Sequence, residues 1–263
     1  YNGSAFQGWQ RQPDGRPTVQ ATLEEALATL AGHPVPTVGA SRTDRGVHAL
    51  GQVVHATTSR WYPEGSWRAR LNSLLPATIR VRAWALAPWD FHARYRAAGK
   101  TYAYDFAWGD APPVLAQGSL LPFRLRRAPD PALLQAGVRA FRHQELWDSF
   151  TSEADPIARR LTGSWLVTGP GRARIVLQGP GFHYQQVRRM ARALADLATG
   201  EVTTGAFDAL LANPRRNAQE QPAPAAALVL VAVHYDPKEL GSLHPEALAG
   251  WWWDPRANEV TEP

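Results

Sequence analysis

Chemistry concentrates in one short string of this 263-residue chain, Arg42-Thr43-Asp44-Arg45-Gly46-Val47-His48. A single carboxylate stands between two arginines, which favour its ionised form. Gly46 supplies the backbone freedom that holds a side chain at a tight loop tip. A carboxylate held this way can act as a nucleophile or a general base. The same string also suits a solvated turn in which Asp44 only forms surface ion pairs. The chain has no cysteine, so disulfides, thiolate metal sites and cysteine nucleophiles are excluded. Its histidines show no paired helical spacing, and it holds no H-E-x-x-H, P-loop or G-x-G-x-x-G string. These absences argue against a zinc-dependent or nucleotide-driven reaction, while magnesium, which needs only scattered carboxylates, stays open.

The pattern around this string predicts the elements that must hold it. Thr18 caps a helix over 19–31 that Gly32 ends, with Val19, Leu23, Ala26, Leu27 and Leu30 on one face. Strands are expected over 34–40 and 52–58, which places Asp44 in the connection between them. A helix over 66–75 stops before Pro76, and 79–86 alternates as a strand. From Lys100 to Trp108 the chain alternates again, with Tyr102, Tyr104, Phe106 and Trp108 on one face. Such an aromatic stripe is ordinarily core. Further on, a helix over 131–141 has Pro at its first turn, and strands over 164–168 and 174–177 flank a Gly-Pro-Gly turn. A helix over 184–199 carries Arg188, Arg189 and Arg192, which read by themselves as exposed helix charges. A short helix over 205–211 and a strand over 228–235 follow. Strands and helices alternate in two comparable blocks, 1–106 and 107–236, so an α+β protein with two antiparallel-sheet halves is expected. Residues 237–263 form an acidic, Pro-containing tail with Trp251, Trp252 and Trp253, which are costly to leave in water and predict docking on the body or on a partner.

The formal charge is +5, distributed as +5 up to Asp105, +4 from Phe106 to Tyr235 and −4 beyond. Nearly every basic residue is arginine, whose fork matches phosphate and stacks on bases. Arginine in place of lysine is also what a GC-rich genome encodes, so composition makes nucleic acid a plausible partner and no more. No apolar run approaches the roughly 18 residues of a membrane span, no secretory leader is visible, and the lack of cysteine suits a cytoplasmic protein.

Gly39-Ala40-Ser41-Arg42-Thr43-Asp44-Arg45-Gly46-Val47-His48-Ala49 resembles the catalytic loop of the tRNA pseudouridine synthase A family. Tyr1 to Gln12 is similar to that family's opening segment, and Val19-Gln20 to its first helix start. Asp90-Phe91-His92-Ala93-Arg94, Lys100-Thr101-Tyr102-Ala103-Tyr104, Phe182 to Arg188, and Pro222-Ala223-Pro224-Ala225 with Leu228-Val229-Leu230 look like further family segments, in order. The chain departs from the family pattern at Asn2, Arg45, Tyr184, Gln185 and Ala227. The family has an apolar strand just before the equivalent of Tyr1, so the resemblance implies residues ahead of it.

The resemblance implies an isomerase that breaks the ribose C1′–N1 bond of uridine, turns the base and joins C1′ to C5, with no cofactor and no metal. Asp44 would be its nucleophile or base, and Arg188 would orient that carboxylate and keep it ionised. Tyr102 would be the platform for the extruded base, and Arg42 the residue that fills the gap the base leaves. It further implies two ferredoxin-like halves around a basic central cleft, action on the tRNA anticodon arm at positions 38, 39 and 40, and a homodimer. Two other readings compete: a non-catalytic tRNA-binding protein on the same fold, and a metal-dependent nuclease or phosphotransferase using scattered carboxylates.

Overall fold

Local signals set most of the helices in the computed structural model, which describes residues 1–63, 66–109 and 121–236. The Trp-rich tail, 237–263, lies outside the described residues. Helices and mostly antiparallel strands make this an α+β protein, and the chain divides into two compact units. One unit comprises Tyr1–Ala98 with the segment that begins at Leu230, and the other is Gly99–Val229.

In the first unit, α1 (Val19–Ala31) has the predicted limits because both of its ends are closed locally. The Thr18 hydroxyl accepts the Ala21 N–H, and Gly32, at φ +77°, returns its N–H to the Ala28 carbonyl. The apolar face of α1 packs with Phe6, Trp9 and Val35 and with Trp67, Leu71 and Leu75, which come from or adjoin α2 (Ser66–Leu74). Burying a large apolar side chain contributes about 1.5–3 kcal/mol, so this cluster contributes substantially to the unit's stability. A short antiparallel pair, β1 (Thr37–Gly39) with β3 (Val54–Ala56), brackets the Asp44 connection, and β2 (His48–Ala49) follows it. Glu24 ties α1 to this pair, since one carboxylate oxygen accepts the Thr37 N–H at 2.8 Å and the Thr37 hydroxyl at 3.0 Å.

The strand expected over 79–86 does not form. The Asn72 side chain takes its place, accepting the Val81 N–H and donating to the Val81 carbonyl, both at 2.8 Å. A helix side chain thus satisfies the backbone groups that a neighbouring strand would otherwise pair.

The second unit is built on β4 (Gly99–Ala107), β6 (Gly163–Gly169) and β7 (Arg172–Gly179), with β7 antiparallel to both others. The Gly-Pro-Gly turn joins β6 to β7, and Gly171 takes φ +67° there. A two-residue strand, β5 (Phe123–Arg124), adds to β4 in parallel, which the alternation did not predict. Helices α3 (Pro131–Ala140) and α4 (Gln186–Ala198) pack together at Gly137, where a Cβ would meet Leu194 at 2.5 Å. Next to them, α5 (Thr204–Ala212) contributes Phe207 to a cluster with Phe141, and Phe141 also meets Trp147 and Phe150. The strand β8 (Leu228–His234) begins in the second unit and ends in the first. No helix among the described residues is long and apolar enough to cross a membrane.

Candidate active site

The Asp44 loop leaves β1 at Gly39 and is fixed by backbone bonds from several directions. The Ala40 N–H reaches the Val53 carbonyl at 2.8 Å. Gln52 clamps Ser41, accepting its N–H at 3.1 Å and donating to its carbonyl at 2.6 Å. Thr43 is buried, shares a 2.7 Å bond with the Tyr1 hydroxyl, and accepts the Trp9 N–H through its carbonyl at 3.1 Å. Asp44 then opens a turn closed by the Val47 N–H on its carbonyl at 3.1 Å, with Gly46 at φ +81°. The result is a rigid backbone that leaves the Asp44 side chain half-buried and Arg42 and Arg45 exposed.

Two glycines of the opening segment let that segment lie against the loop. A Cβ on Gly8, which has φ +101°, would stand 2.7 Å from the Thr43 carbonyl oxygen and 3.3 Å from both the Arg45 nitrogen and the Asp44 carbonyl carbon. A Cβ on Gly3 would stand 1.9 Å from the Val47 carbonyl oxygen. The positions of Gly3 and Gly8 within the Tyr1–Gln12 segment were the available signal for these contacts. The Gln52 clamp had none, because nothing local distinguishes that glutamine from a surface one.

Tyr102 and Arg188 belong to the second unit. Tyr102 sits on β4 opposite Leu177, is only 6% exposed, and meets Phe182 edge-to-face with ring centroids 5.2 Å apart. Two residues on, the Tyr104 hydroxyl donates to the Pro224 carbonyl at 2.9 Å, and burial raises its pKa far above the ordinary phenol range. Arg188 lies in the first turn of α4. Its Nε donates to the Ala223 carbonyl at 2.8 Å, and the Ala223 N–H returns to the Arg188 carbonyl at 3.0 Å. The 222–225 segment therefore holds both β4 and the Arg188 backbone and side chain in place.

The three helix arginines are not exposed charges. Arg189 is 5% exposed and donates to Asn217, to the Gln219 carbonyl at 2.6 Å and to Gln185 at 3.2 Å. Arg192 pairs with Asp196 at 2.8 Å. The Arg192–Asp196 pair is an i,i+4 contact within α4 that helical spacing allows, whereas the Asn217 and Gln219 partners of Arg189 are tertiary and invisible to it. Among the described residues, no group of three or more His, Asp or Glu side chains is placed to hold a metal ion. What the geometry offers is a carboxylate on a locked loop in one unit, and in the other an anchored arginine beside an aromatic strand.

A model of the tRNA pseudouridine synthase family matches residues 1–96 and 134–236. The chain belongs to this family. Arg42, Asp44 and Arg188 fall inside the matched stretches, and Tyr102 falls between them. Relatives bearing the name tRNA pseudouridine synthase A bear this out along nearly the whole length. The protein of Synechococcus sp. (strain CC9605) is 37% identical over 89% of this chain and 81% of its own. That of Bacillus licheniformis is 35% identical over 90% and 96%, and that of Syntrophotalea carbinolica 34% over 91% and 95%.

Proposed function

We propose that this tRNA pseudouridine synthase, an isomerase by its family, uses Asp44 as the nucleophile or base that converts uridine to pseudouridine in the tRNA anticodon stem-loop, at positions 38, 39 and 40. The observation that carries the reading is the construction of the Asp44 loop, in which bonds from the Trp9 and Val53 backbones and the Gln52 side chain fix the main chain ahead of one carboxylate and the Val47 N–H closes the turn behind it. Preorganisation of this kind is what a reacting group needs, because positioning accounts for a large part of enzymatic rate.

In this reading Arg188 orients and neutralises the Asp44 carboxylate, Tyr102 supports the extruded base, and Arg42 occupies the space that base leaves. Leaving the stack costs a few kcal/mol, which aromatic and arginine contacts offset. The family resemblance supports ferredoxin-like halves carrying a basic cleft for the anticodon arm, a homodimer on one tRNA, and residence in the cytoplasm with the substrate. It assigns no cofactor and no metal, since the isomerisation is redox-neutral and needs no energy source.

The test is Asp44→Asn. Asn keeps the size and much of the hydrogen bonding but cannot supply an anionic oxygen. Single-turnover tritium release from tRNA carrying 5-tritiated uridine should fall by about three or more orders of magnitude, while filter binding of tRNA stays near the unsubstituted level. Near-normal release would remove Asp44 from the chemistry. A wild-type chain that binds tRNA and releases no tritium would instead be the non-catalytic binding protein.

A further inference from the structure

The start of α4 has an unusual closure. Its cap residue, Gln185, sits at φ +57° and makes no side-chain capping bond, so the helix lacks the Ser, Thr, Asp or Asn that ordinarily receives its first N–H groups. The segment leading into the helix is instead tied down from elsewhere in the chain. One carboxylate oxygen of Glu153 accepts the Tyr184 N–H at 2.8 Å, and the other meets His183 Nδ1 at 2.8 Å. His183 Nε2 faces the Ile157 carbonyl at 3.0 Å, and the His183 N–H goes to Gln186 Oε1 at 2.8 Å. The Thr151 hydroxyl completes the set, donating to the Tyr184 carbonyl at 3.3 Å and accepting the Glu153 N–H at 3.2 Å.

The His183 side chain is 3% exposed while Glu153 is 44% exposed, so the pair is anchored at its histidine end in the interior and reaches the surface at its carboxylate. Burial by itself would raise the Glu153 carboxyl, but the Tyr184 N–H, the His183 bond and charge, and nearby Arg159 together hold it below the ordinary carboxylate range. An anion at a helix N-terminus is also favoured by the helix dipole.

We infer that Glu153 and His183 are positioning residues, which fix the first turn of α4 from the 151–157 loop and thereby fix Arg188, the third residue of that helix. This rests on the reading of Arg188 as an active-site residue. The Arg188 guanidinium is anchored at Nε to Ala223, so its direction depends on where the first turn sits relative to the 222–225 segment. Without Glu153 the Tyr184 N–H and the His183 ring lose their shared acceptor, the turn frays, and the guanidinium is displaced.

The experiment compares Glu153→Ala with Glu153→Gln in the full chain. In the Gln variant the amide oxygen still accepts the Tyr184 N–H. Its NH2 donates to a neutral His183 at Nδ1, and the histidine keeps its Nε2–H on Ile157, so every bond is re-formed. Single-turnover tritium release should fall about tenfold or more for Ala, because small displacements of a catalytic group carry penalties of that order. It should stay within about threefold of wild type for Gln, with tRNA affinity within about twofold in both. In an Arg188→Lys background the Glu153→Ala effect should shrink to less than about threefold, since residues acting as one unit are not additive. A full tenfold loss persisting in that background would overturn the inference, and so would an unchanged rate in Glu153→Ala. If Glu153→Ala melts below the assay temperature, His183→Leu, which removes both ring bonds to Glu153 and Ile157, takes its place as the disruptive variant with the same expected losses. An Arg188→Lys rate equal to wild type would overturn the active-site reading of Arg188 itself, a result separable from the others.

Discussion

Gly8→Ala should damage the reaction without touching any residue that reacts. The substitution has two costs. At φ +101° an L side chain is strained, by about 1–2 kcal/mol if the penalty resembles that of left-handed backbone. The new Cβ would also press on main-chain atoms, at 2.7 Å from the Thr43 oxygen and 3.3 Å from the Arg45 nitrogen, and backbone cannot swing aside as a flexible side chain can. Overpacking of this kind costs about 1–3 kcal/mol. The expected total is about 2–5 kcal/mol, a large share of the 5–15 kcal/mol that holds a typical domain. Relief requires the Thr43–Arg45 backbone to move by several tenths of an ångström, and the Asp44 carboxylate moves with it. Gly15→Ala is the matched control, because Gly15 has φ +72° but a Cβ there meets nothing within 4 Å. Thermal unfolding and single-turnover tritium release would be measured on both. Gly15→Ala should lose only the backbone part, about 1–2 kcal/mol of stability, and keep its rate. Gly8→Ala should lose more stability and about 10²-fold in rate, with tRNA affinity nearly intact. A folded Gly8→Ala protein with wild-type turnover would show that the opening segment does not set the position of Asp44.

Other outcomes follow from the same structure. Tyr102→Phe should lose less activity than Tyr102→Ala, since base stacking, worth about 1–3 kcal/mol, needs the ring more than the hydroxyl; equal inactivity in two folded variants would give the hydroxyl a chemical role. Because Tyr102 is buried, the Ala variant should also unfold earlier, by the about 3–5 kcal/mol of an aromatic cavity. Binding of tRNA should weaken steeply with salt, by about 0.9 in log–log slope per phosphate contact or somewhat less on single strands, and a flat dependence would exclude arginine-led backbone contacts. The fold should lose stability as pH falls below 6.5. Burial lowers the pKa of His55, with a contribution from His92, and burial lowers that of His234, so the unfolded chain takes up these protons first. Protonation would also turn His55 Nδ1, which accepts the Ala93 N–H at 3.0 Å, into a donor. Denaturant midpoints that are equal at pH 7.5 and 5.5 would contradict this.

The elements that the sequence predicted best are those closed by their own neighbours. α1 is bounded by Thr18 and Gly32, and α3 by Asp130, whose side chain accepts the Ala132 and Leu133 N–H groups. The Asp44 loop was legible for a different reason, since its residue string is distinctive even where its support is not. What escaped the sequence depends on groups far apart in the chain. The 79–86 stretch has the alternation of a strand, but Asn72 took its hydrogen bonds. Arg189 has the spacing of a surface charge, but it is held by Asn217 and Gln219. Gln52 has ordinary neighbours, and only the fold brings it onto the loop. His183 and Glu153 likewise read as unrelated polar residues until the chain closes around them.

The unit that holds Asp44 is discontinuous along the chain. The Leu50 and Gly51 N–H groups donate to the Leu230 carbonyl, the Ala98 N–H to the His234 carbonyl, and the Tyr235 hydroxyl to the Ala93 carbonyl. All of these acceptors or donors from Leu230 onward are made only after the intervening unit, Gly99–Val229, has been synthesised. At about 5–20 residues per second, synthesis of that insert takes on the order of ten seconds. During that interval the nascent Tyr1–Ala98 segment has its Asp44 string but not the strand that closes its unit. The groups that hold the Asp44 loop itself, Tyr1, Trp9, Gln52 and Val53, are all made before the insert, so the late strand closes a unit whose loop supports are already synthesised.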